Sequence, residues 1–172
     1  MIQLLRLLTI LCALACGSAW GQTAVGGCSF TLTSQASLSY NVVSPAQSLA
    51  SSLNINCSAI LNVLSSYTYT VSYGSGSSGD VGNRTMRHSS VPASVLAYTL
   101  RSSSSAGSTL LGNGGSGTSI QTGTLNCLAA LLGVCTLGTT QATVQSWLHV
   151  PARQFARPGN YSDSIIVTVT VN

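Results

Sequence analysis

The sequence is nearly devoid of charge. All six of its cationic residues are arginine, glutamate and lysine are missing, and Asp80 and Asp163 are the only acids. Charged residues make up 5% of the chain, against roughly 25% in an ordinary globular domain. Glycosidase chemistry needs two carboxylates held about 5–10 Å apart, and two isolated aspartates are thin material for it. Histidine is as scarce, with only His88 and His149. No G-x-S-x-G elbow sets any of the many serines beside an oxyanion hole. The arginines are scattered, whereas nucleic-acid binding calls for a clustered basic patch. Gly74 to Gly79 formally matches G-x-G-x-x-G, but no helix opens at its last glycine and no acid follows at the required distance. It reads as a hairpin connection. We therefore expect no enzyme, no catalytic residue, no cofactor, no small-molecule substrate and no nucleic-acid partner.

Helical periodicity is also lacking over any useful length. What remains is abundant Ser, Thr and Gly on a framework of alternating apolar residues, a composition suited to extracellular β-proteins that pack against copies of themselves. The N-terminus fits export. Arg6 precedes an apolar run, Leu7 to Ala15, and small residues follow in Gly17-Ser18-Ala19-Trp20-Gly21. This is the layout of a secretory leader, and the run is short for a bilayer span of roughly 20 residues. Cleavage is expected after Gly21, with Ala19 as the alternative, giving a leader over 1–21 and a single domain over 22–172. The mature charge is then 5 − 2 = +3, from five arginines and two aspartates.

Cys12 and Cys16 leave with the leader, and Cys28, Cys57, Cys127 and Cys135 stay. An even number in an exported chain implies disulfides, with three connectivities open. The spacings do not suit zinc, so no metal site is expected. Strand alternation chooses among the pairings. Cys28 shares a face with Phe30 and Leu32, and Cys57 with Leu53 and Ile55, so both sulfurs point into a core. Cys28–Cys57 is expected, and Cys127–Cys135 then closes the apolar stretch Leu128 to Val134, for which one buried helical turn is expected. Further alternating runs predict strands at 67–73, 95–101, 143–150 and 164–172. In the last, Ile165, Val167, Val169 and Val171 fall on one face. An all-β sandwich follows.

The order of these features resembles the spore coat protein U domain, shared with subunits of archaic chaperone–usher pili. The resemblance rests on the opening cysteine with Leu38-Ser39-Tyr40-Asn41, and on Asn54-Ile55-Asn56-Cys57-Ser58. It continues through Arg84-Thr85-Met86, Leu96-Ala97-Tyr98-Thr99-Leu100 and Leu111-Gly112-Asn113-Gly114 to Pro158-Gly159-Asn160-Tyr161-Ser162-Asp163 and the final strand. Leu111 stands where the family usually has tryptophan. The resemblance implies an immunoglobulin-like sandwich lacking its last strand. Ile165, Val167, Val169 and Val171 would line the resulting groove, filled first by a periplasmic chaperone and then by the N-terminal extension of another pilin subunit at an outer-membrane usher. It also implies a cell-surface fibre with a role in adhesion or biofilm. Gln22 to Gly27 is too short and too polar to serve as a donor strand, so a terminal or minor subunit is expected. The alternative is a stand-alone extracellular binding module of the same fold.

Overall fold

A computed structural model of the protein describes residues 8–12, 27–33, 37–58, 66–131 and 134–172. The chain is all-β, as its alternation requires. Eleven strands follow in order: β1 (Leu8–Cys12), β2 (Cys28–Thr33), β3 (Leu38–Tyr40), β4 (Gln47–Ser58), β5 (Ser66–Tyr73), β6 (Arg84–His88), β7 (Val95–Arg101), β8 (Gln121–Leu131), β9 (Val134–Val150), β10 (Gly159–Ser162) and β11 (Ile165–Val171). Among the described residues, the one helical element is a 3-10 turn at Gly76–Ser78. It sits inside the glycine-rich connection between β5 and β6.

The strands pair antiparallel in the order β1-β11-β5-β8-β9-β7-β6-β10-β3, and β4 joins β9 to β2. The spine is the long β9, whose ladder with β4 runs from Gln47 opposite Val150 to Ser58 opposite Thr139. The sheet curls on itself and closes over one core. Phe30, Leu53, Ile55, Val71, Tyr98, Leu125, Tyr161 and Val167, from strands far apart in that order, belong to a single buried cluster. Period-two alternation explains it: one face of each strand is apolar and must be removed from water, worth about 25 cal/mol per Å².

Cys28 lies directly opposite Cys57 in the β2–β4 ladder, and the two form the expected disulfide, both sulfurs buried. The side chains of Cys127 and Cys135, and with them the second expected bond and the burial of their loop, lie outside the described residues. The backbone there does differ from expectation. β8 continues to Leu131 and β9 begins at Val134, so the stretch is a β-hairpin and not a helical turn. A helical turn would have to nucleate alone, at a cost few hydrogen bonds repay, whereas the hairpin extends a ladder already formed below it.

Candidate functional site

β11 follows from its sequence more directly than any other strand. Ile165, Val167 and Val169 are buried at 6%, 6% and 3% exposure, and Val171 packs partly buried against the same core. Ile166 is exposed, and Thr168 and Thr170 are half-exposed. On its inner edge β11 pairs with β5, from Val167 opposite Tyr73 to Val171 opposite Tyr69. Among the described residues from Gly27 onward, none pairs with its outer edge. That edge is not bare, however. β1 lies along it antiparallel, with Leu8 opposite Val169, Ile10 opposite Val167 and Cys12 opposite Ile165. The position expected to be open is thus taken by five residues of the expected leader. The reason is physical. An unpaired edge presents a row of N–H and C=O groups beside apolar side chains, and the apolar run at the N-terminus is a fitting strand to satisfy them.

A buried polar knot fixes where β11 begins. Asp163, two residues upstream, is 7% exposed. One of its oxygens accepts the backbone N–H groups of Ser77 and Ser164, each at 2.9 Å, and the other accepts the Tyr98 hydroxyl at 2.5 Å. Burial, then the bond to Asp163, push the Tyr98 phenol far above its ordinary pKa. Beside it, Arg84 is 2% exposed. Its guanidinium donates to three backbone carbonyls, Gly74 at 2.9 Å, Leu111 at 3.0 Å and Tyr73 at 3.1 Å. Burial pulls its pKa down, and the three carbonyls stand in for the water it has lost. The turn must come close to make this knot. Gly76 has φ +67°, and a Cβ there would collide with a carboxylate oxygen of Asp163. Only glycine fits.

Sequence reasoning did not find this knot, although the signal was present. Arg84 and Met86 share one parity of β6, and both are buried. The residues carrying the resemblance meet here: Arg84, Tyr98, the carbonyl of Leu111, and Asp163. Tyr161 holds the neighbouring turn, its hydroxyl donating to the Arg157 carbonyl at 2.7 Å and bonding the Ser94 hydroxyl at 2.8 Å. Of the remaining candidates, His88 accepts the N–H groups of Ser90 and Val91 on Nδ1, with Nε2 on the Pro158 carbonyl. His149 bonds Ser48. Both histidines hold backbone or surface geometry, and neither lies against an aspartate. Among the described residues there is no group of three His, Cys, Asp or Glu side chains placed to hold a metal.

What the described residues assemble is a strand edge beside a buried polar knot. No match to a curated protein is found. The Spore Coat Protein U domain matches residues 8–168, nearly the whole chain, and the protein belongs to that family, whose members are generally pilus- or coat-type surface proteins.

Proposed function

We propose that the protein is an exported subunit of a surface fibre or coat that accepts a strand along the outer edge of β11. One observation carries the reading: the edge draws no strand from the described residues of the domain and is satisfied by β1. Removal of the leader after Gly21 takes β1 away and uncovers the edge. A periplasmic chaperone then covers it, and at an outer-membrane usher the N-terminal strand of another pilin subunit replaces the chaperone by donor-strand complementation. Ile165, Val167, Val169 and Val171 form the floor against which the incoming strand packs. The short polar segment Gln22 to Gly27 makes the subunit an acceptor rather than a donor, a terminal or minor component serving adhesion or biofilm.

The test compares residues 22–172 alone with the same chain carrying Leu7–Ala13 after Asn172, joined by a Gly-rich turn and with Cys12→Ser. The grafted chain is expected to be a soluble monomer whose β11 amides resist hydrogen exchange. The ungrafted chain is expected to aggregate unless a chaperone is co-expressed. Two equally stable monomers would refute strand acceptance and favour a stand-alone binding module.

A further inference from the structure

The direction of β1 on β11 has a consequence for the opposite side of the molecule. β10 leads straight into β11, and the ladders fix which way they run. Ser162 lies opposite Arg87, and Val167 opposite Tyr73. Beyond the far end of β11, Ser66 lies opposite Asn126, next to Cys127, which pairs through Thr140 and Cys57 to Cys28. The start of the domain thus stands at one pole. The 151–158 connection, between β9 and β10, stands at the other. An antiparallel strand on β11 enters beside Val169 and leaves beside Ile165. Whatever follows that strand in its own chain emerges toward the 151–158 pole.

That pole is built unlike the rest of the surface. Phe155 is fully exposed, at 105%, and Val43 in the neighbouring 41–46 connection is 81% exposed. Arg153 and Arg157 flank Phe155, and Arg87 lies on the adjoining strand, all three exposed. Asp163 is buried, and Asp80 is tied to Gly82 and Asn83 beyond the opposite end of β6. Two of the five arginines of the domain therefore flank an exposed aromatic with no acid next to them in the chain, while Arg87 reaches toward the Pro92 carbonyl. The loop is also firmly held. Gln154 bonds Ala97 through both its amide atoms at 2.8 Å, its N–H donates to the Tyr40 hydroxyl at 2.7 Å, and the Arg157 N–H donates to Ser94. A pre-ordered loop presenting an aromatic between arginines has the make-up of an interface anchor.

We propose that the Phe155 pole is the seat for the globular body of the subunit that donates its strand to β11, a body presenting an apolar recess rimmed by carboxylates. This rests on the strand-acceptor reading above, and adds to it a second contact that selects the donor. The experiment places photoreactive benzoylphenylalanine at Phe155 or at Ile166, on the exposed face of β11, in cells that make the protein. Cross-linked products are identified by mass spectrometry. Both positions are expected to capture the same polypeptide, with the peptide caught at 166 preceding the one caught at 155. The triple variant Arg153→Ser, Phe155→Ser, Arg157→Ser is expected to melt at an unchanged temperature yet recover that partner about tenfold less. A partner at 166, with nothing, a different protein, a glycan or a lipid at 155, would overturn the seat and leave strand acceptance standing. No strand partner at 166 would overturn both.

Discussion

β10 and β11 follow one another with only Asp163 and Ser164 between them, yet they are held in opposite ways. Around β10, side chains do the holding: Tyr161, Asp163 and Arg84 bond backbone groups of three separate connections, and Tyr98 donates to Asp163. β11 has apolar burial and two backbone ladders. Side-chain networks are specific and costly to break, whereas a backbone ladder can be satisfied by any strand of suitable alternation. The difference separates position from partner: the knot decides where β11 lies, and the ladder leaves open which strand lies beside it. The largest way to break this division is at Arg84. Arg84→Met keeps the volume but leaves three buried carbonyls without a donor, each costing about 1–3 kcal/mol. We expect a loss of about 3–5 kcal/mol in urea unfolding of the grafted monomer. A loss below about 1 kcal/mol would show that the knot is not what positions β11.

Two buried phenols, one of them in the knot, also predict sensitivity to alkali. Tyr73, whose strand lies beside β11, is pushed up to about 12 from 10.0 by burial, and Tyr98 is raised as well. A folded-state pKa raised above the unfolded one contributes stability that is fully present below pH 10 and is lost as pH rises through the folded value. Stability should therefore be flat to about pH 9 and fall by about 2 kcal/mol or more between pH 10 and 12, since each tenfold gain in proton affinity on folding is worth roughly 1.4 kcal/mol. Tyr98→Phe should flatten that fall, as followed by urea midpoints at each pH.

Much of this was legible in the sequence wherever alternation alone decides. Cys28 with Phe30 and Cys57 with Ile55 pointed to a disulfide, because parity puts both sulfurs on buried faces. Ile165 to Val171 showed a strand and its inward face. Short strands were not legible. Leu38–Tyr40 and Gly159–Ser162 are too brief to show a period, and they exist because Tyr40 and Tyr161 pack edge to face across their ladder, ring centroids 6.2 Å apart. Gln121–Leu131 was obscured by Thr and Gly, and its apolar end read as a helical turn. The knot was hidden for a different reason. A charged residue at an inward parity looks like a break in the pattern, and only the three carbonyls converging from distant connections make Arg84 a core residue.

The smallest change sharpens the comparison most. Asp163→Asn keeps the shape of the side chain and removes its charge. Its remaining oxygen can still accept from Ser77 and Ser164, and its amide can donate to Tyr98 if that hydroxyl rotates to accept. If Asp163 serves as a hydrogen-bond hub, the cost stays near about 1 kcal/mol, and tyrosinate absorbance shows Tyr98 titrating at lower pH than in the parent. If its charge is what balances the buried guanidinium, removal leaves Arg84 uncompensated and the cost rises toward about 3 kcal/mol. Three carbonyls already face that guanidinium, so we expect the smaller loss. In either case the β11 amides of the grafted monomer should keep their protection from hydrogen exchange, because none of the atoms that change touches the outer ladder.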